Sequence, residues 1–275
     1  MTRNLTDFDL DTALEPTGDG RFTGAMSRRW WIERGPNGGY VAAIVLRGLM
    51  LTVDDAARTP RSLTVHYLAP PQEGPVTMET RVERAGRQVS FLSGRLLQGD
   101  RLLAVAQAAF ALPMPGVEFC DVQPPSVPPP DVLTRMSPNV AGGPAIPMRE
   151  RYDMRWALGA APFTGSDEAV AGGWIRLAQP RECDHILLAA LTDAWMPPVF
   201  SRSTERMGVP TVDLTVHFRA PLHAVNQGSD DFYLCMFRSQ MAADGFVEED
   251  GEVWSRDGVL LAHSRQLAML LPLQA

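Results

Sequence analysis

The chain has 275 residues and a formal net charge of −7, which argues against general affinity for nucleic acid or anionic membranes. A hydrophobic content of 45% supplies a full globular core, enough for one large domain or two of ordinary size. The 25 Lys-plus-Arg residues are all arginine, so a local arginine patch for a phosphate remains open. Cys120, Cys183 and Cys235 show neither metal-ligand spacing nor a disulfide framework. The first residues lack a signal-peptide core, and no apolar run nears the ~18 residues of a membrane span. The expectation is a soluble, cytoplasmic protein with no metal and no cofactor.

In chain order, a polar start leads to Arg21–Ser27 and Trp30–Glu33, read as one or two short strands. Gly35-Pro-Asn-Gly-Gly is a turn cluster, and Tyr40–Met50 is a strongly apolar helix that Asn37 can cap. Free N–H groups at this glycine-rich start suit a carbonyl or phosphate oxygen. The glycines serve equally as a tight turn that allows close packing. Ser62–Pro70, Val76–Arg84, Arg87–Leu97 and Arg101–Leu112 read as strands, with turns at Ala85-Gly86 and Gly99-Asp100.

Pro113 to Glu150 holds ten of the 23 prolines and reads as a connection between units. After it the pattern starts again. Tyr152–Leu158 and Ala169–Leu177 are predicted strands. An apolar helix follows, then strands over Val212–Arg219, Asp231–Arg238, Glu248–Ser255 and Val259–Leu271, with a hairpin signal at Asp257-Gly258. Ser62-Leu-Thr-Val-His-Tyr-Leu-Ala-Pro matches Asp213-Leu-Thr-Val-His-Phe-Arg-Ala-Pro, 151 positions later. The chain therefore reads as a duplicated α+β unit: 1–113, a proline-rich linker over 114–150, and 151–275.

The second helix, predicted across Asp184–Pro198, is apolar almost all the way round, with Asp184 as its N-cap and Pro197-Pro198 as its stop. It carries one internal carboxylate, Asp193, beside the small residues Ala189, Ala190 and Ala194. Two readings fit. Either a buried carboxyl of raised pKa faces a water or ligand, or the last turn carries Asp193 out to solvent.

Strand, buried helix and antiparallel strands, given twice, resemble the double hotdog fold of the acyl-CoA thioesterase II-like proteins. Gly35-Pro-Asn-Gly-Gly-Tyr is similar to the start of their first hotdog helix, and Thr192-Asp-Ala-Trp-Met-Pro-Pro to their second-helix motif. The resemblance runs from about Arg21 to about Leu271. It implies two antiparallel sheets, each wrapped round a buried helix, and a homodimer of such chains. It implies one competent site per chain, where the halves meet, with Asp193, Thr211 and Gln266 at the positions of the family's catalytic Asp, Ser/Thr and Gln.

On the last strand the period of two puts Ala262, Ser264, Gln266 and Ala268 on one face, so Gln266 is the one long polar group there. Thr211 shares parity with Asp213, Thr215 and His217, a polar face. It lines a wet pocket, or a bulge resets its register. On the resemblance, Asp193 acts as general base on water, Thr211 and Gln266 hold that water, and an acyl-CoA is the substrate. Backbone N–H groups at a helix start steady the oxyanion. No Gly-x-Ser-x-Gly elbow is present. The symmetric pair His66 and His217 suits packing or an inter-half contact better than catalysis. Competing readings are a non-catalytic acyl-CoA-binding double hotdog, or an enoyl-CoA hydratase. The latter would want a His where Pro198 stands.

Overall fold

The two copies of the Leu-Thr-Val-His strand pair with each other. In a computed structural model, which describes residues 5–139, 146–222, 225 and 228–272, β3 (Thr59–Tyr67) lies antiparallel to β10 (Thr211–Phe218). Thr215 sits opposite Thr64, and their hydroxyls are 3.0 Å apart. His66 faces Asp213 and Ser62 faces His217. Residues related by the repeat thus fall on opposite sides of one centre, a local twofold axis between the halves. The expectations for the chain's first four residues and for 140–145 of the linker lie outside the described residues.

The first half contains α1 (Asp7–Asp11), β1 (Glu15–Gly18), β2 (Arg21–Met26), α2 (Gly38–Val53), β3, β4 (Gly74–Ala85), β5 (Val89–Gln98) and β6 (Arg101–Ala111). After the proline-rich stretch come α3 (Pro147–Glu150), β7 (Tyr152–Leu158), β8 (Ala169–Leu177), α4 (His185–Leu191), α5 (Val199–Arg202) and β9 (Met207–Gly208). Then follow β10, β11 (Tyr233–Ser239), β12 (Ala242–Ala243), β13 (Phe246–Trp254), β14 (Leu260–Met269) and β15 (Leu271–Pro272). The main sheet runs β1-β2-β4-β5-β6-β3-β10-β14-β13-β11-β8-β7, with β12 on β13. Its order reads the same outward from the β3–β10 seam in both directions.

The expected pair of separate sheets is therefore corrected to one continuous antiparallel sheet. The reason is an edge: β3 and β10 would each end a sheet with a row of unpaired N–H and C=O groups, and joining them removes two open edges at once. A second correction concerns Trp30–Glu33. Arg28–Trp30 is a short 3-10 turn capped by Ser27, and Trp31 makes only an isolated bridge to Pro36. Trp30 is instead a core anchor, stacked on Tyr40 (5.4 Å between ring centroids) with Phe8 and Tyr152 edge-on at 5.3 and 5.7 Å.

Asn37 caps α2 by accepting from the Tyr40 N–H at 3.1 Å. Asp184 caps α4 by accepting from the Leu187 N–H at 2.8 Å, while Arg181 grips its two oxygens at 2.9 and 2.7 Å. Ile186–Leu191 are all buried, as are ten residues of α2. The two helices pack on each other as well as under the sheet, and one hydrophobic cluster takes residues from both halves. That contact brings the start of α2 against the end of α4.

Candidate active site

The helix expected over 184–198 is corrected to His185–Leu191; Thr192 is its C-cap and Asp193 lies in the turn just beyond. Pro197 and Pro198 bar any later helical continuation, but the chain has already left the helix before they are reached. The turn aims Asp193 at the N-terminus of α2, across the line between the halves. Its Oδ2 accepts from the Gly39 N–H at 2.9 Å and from Asn37 Nδ2 at 3.0 Å. Asn37 Nδ2 also donates to the Asp193 carbonyl at 2.5 Å. The Gly39 N–H, a candidate oxyanion donor by sequence, is thus directed at the carboxylate of the other half.

Space for this meeting comes from two glycines. A Cβ at Gly39 would run into the Ala190 carbonyl, and one at Gly38 would come within 2.8 Å of Asp193 Oδ2. Burial pushes the Asp193 carboxyl up to about 6, against the lowering influence of the Gly39 and Gly38 N–H groups, Gln266 and Asn37. A carboxyl so placed is an anion at neutral pH and yet a better base than an ordinary aspartate.

Thr211 reaches the same side through a bulge. Its partner on β14 is Ala268, whereas Asp213 pairs with Leu267, so the register slips by one between Thr211 and Asp213. The slip turns Thr211 away from the outer face of Asp213, Thr215 and His217 and toward the buried face of β14. There Thr211 Oγ1 donates to Gln266 Oε1 at 3.0 Å. Ala262, Ser264, Gln266 and Ala268 are all buried, and Gln266 is only 5% exposed. Its amide faces the Asp193 carboxyl. The geometry therefore brings Asp193, Thr211 and Gln266 into one neighbourhood. His66 and His217 are exposed on the opposite face of the sheet, apart from this cluster.

One member of the cluster was not anticipated. Glu249, on β13 opposite Gln266, is 7% exposed and accepts from Gln266 Nε2 at 2.8 Å. Burial, then the nearby Asp193 charge, holds its carboxyl well above the usual range. In the sequence it hides within Glu248-Glu249-Asp250, which looks like a solvated acidic run. The signal was the period of two: Val247, Glu249, Gly251 and Val253 share a buried face, and Glu249 is the one charged residue on it.

Two family models match the chain: the acyl-CoA thioesterase N-terminal domain over residues 27–111 and the acyl-CoA thioesterase C-terminal domain over residues 123–270. The chain belongs to the acyl-CoA thioesterase domain family. A hot dog fold protein of unknown function from Alicyclobacillus acidocaldarius is 30% identical. It superposes with a TM-score of 0.89 over 98% of this chain and all of that one. An acyl-CoA thioesterase II from Mycobacterium marinum shares the fold at 20% identity, with a TM-score of 0.76 over 97% of this chain and 99% of its own. An uncharacterised protein of Mycobacterium tuberculosis is 23% identical over 272 residues, 90% of each chain. The fold is thus a hotdog fold, carried by a thioesterase-family chain with one joined sheet.

Proposed function

We propose that the protein hydrolyses acyl-CoA thioesters at the cluster of Asp193, Thr211 and Gln266. The observation that carries this reading is the Asp193 carboxylate, held by the Gly39 N–H and Asn37 where the halves meet, with a buried glutamine facing it that accepts from the Thr211 hydroxyl. Asp193 takes a proton from water as the water oxygen attacks the thioester carbonyl. The tetrahedral intermediate collapses by breaking the C–S bond. The proton held on Asp193 passes to the leaving thiolate, which gives the carboxylic acid and free CoA thiol. Thr211 and Gln266 orient the water, so that attack costs less entropy than from bulk solvent. We read residues 1–113 and 151–275 as the two hotdog units, with the site between them.

The test is thiol release from short-, medium- and long-chain acyl-CoAs. Turnover on at least one chain length is expected; binding without thiol release on all of them would replace hydrolysis by a carrier role. Thr211→Val and Gln266→Leu are each expected to lower kcat by about 10- to 100-fold, because each loosens the water without removing the base. Kinetics on the responsive acyl-CoA check this. A loss confined to KM would put both residues in substrate binding instead.

A further inference from the structure

Glu249 stands in an environment that disfavours it. Its strand neighbours on the same face are Val247, Gly251 and Val253, and burial acts against its charged form. Its hydrogen bond is to Gln266 Nε2, at 2.8 Å, across the β13–β14 pair. The other end of that amide accepts from Thr211 Oγ1 at 3.0 Å. Thr211, Gln266 and Glu249 therefore form a directional chain, hydroxyl to amide carbonyl and amide N–H to carboxyl.

We infer that Glu249 is a positioning residue that fixes the polarity of the Gln266 amide and, through it, the direction of the Thr211 hydroxyl. This inference rests on the hydrolase reading above. The Glu249 carboxyl accepts from Nε2 through its carbonyl oxygen and, together with the Asp193 carboxyl that the amide also faces, holds the carbonyl end of Gln266 toward Thr211. The Thr211 proton is then committed to Gln266, and the hydroxyl oxygen turns its lone pairs to the reacting water. The water donates one proton to Asp193 and one to Thr211, and both lone pairs of its oxygen stay free of hydrogen bonds, one of them to attack the carbonyl carbon. With the amide reversed, Nε2 would donate to Thr211, and Thr211 would donate to the water. That bond would occupy one of the water's two lone pairs and draw electron density from the oxygen that must attack.

The test replaces Glu249 in the full chain. Glu249→Met removes the β13 acceptor at similar volume. Its kcat should fall 10- to 100-fold, with KM within threefold of wild type; removal of a buried carboxyl and loss of the acceptor for Gln266 Nε2 act on the melting temperature in opposite directions. Glu249→Gln can still present a carbonyl to Nε2 and should keep at least a third of wild-type kcat. In a Thr211→Val background, Glu249→Met should cost less than a further threefold, because its effect runs through the missing hydroxyl. Wild-type kcat in Glu249→Met, a Glu249→Gln loss as deep as the Met variant's, or fully multiplicative losses in the double variant would each overturn the role. Absence of turnover by wild type on every acyl-CoA would overturn the hydrolase reading and this role with it. That result is distinguishable from an active wild type with an indifferent Glu249.

Discussion

Asp193→Asn is expected to lower kcat by about 10²–10⁴-fold, the usual contribution of a general base, and at the same time to stabilise the fold at neutral pH. The second effect follows from the direction of the pKa shift. Burial raises the folded-state pKa from 3.8 to about 6, so between those values the native state binds more protons than the unfolded chain. Stability then falls as pH rises from about 4, and the loss is complete once pH has passed through about 6. Two units at about 1.4 kcal/mol each make this roughly 2 to 3 kcal/mol. Asparagine does not titrate and keeps an acceptor oxygen for the Gly39 N–H, so it avoids the loss. Thermal melts should place the variant above wild type at pH 7.5 and level with it near pH 4. In wild type, kcat/KM should climb with pH to a plateau above about 6, as the carboxyl ionises. A variant that melts below wild type at pH 7.5 would mean that the α2 N-terminus stabilises the anion more than burial opposes it.

The repeat was legible because a nine-residue stretch recurs with Leu-Thr-Val-His and Ala-Pro unchanged. That the two strands pair with each other through Thr64 and Thr215 was not legible. Strand alternation reports which face is buried, not which partner takes the edge. Ala262, Ser264, Gln266 and Ala268 could be placed together by period alone, but Thr211 could not, since its parity put it outside until the bulge before Asp213 reversed it. The extent of α4 was overread for a simpler reason. An apolar run ending in two prolines marks a last possible residue for the helix, and the chain turned six residues before Pro197. Glu249 was missed because its neighbours Glu248 and Asp250 look outward and lend it their character.

Gly39→Ala is expected to be the most damaging small substitution near the site. In an exposed helix, alanine in place of glycine gains up to about 1 kcal/mol. Here the added Cβ would meet the Ala190 carbonyl, so backbone faces backbone and neither side can rotate away. The helices α2 and α4 must separate. Overpacking of this kind costs about 1–3 kcal/mol, enough to reverse the helix gain. Separation also withdraws the Gly39 N–H from Asp193, which rides on the turn after α4, so kcat should fall with stability. Gly38→Ala supplies the contrast. Its Cβ would approach Asp193 Oδ2 at 2.8 Å and the Tyr67 ring at 3.5 Å, both side-chain atoms that can yield. The melting temperature should change little, but the carboxylate is pushed from donors that favour its charged form, and its pKa should rise above 6. The pH–rate profiles and melting curves of the two variants, taken together, test this. If Gly38→Ala moved the acidic limb downward, or Gly39→Ala melted above wild type, the close approach of the two helices would not be what holds the base in place.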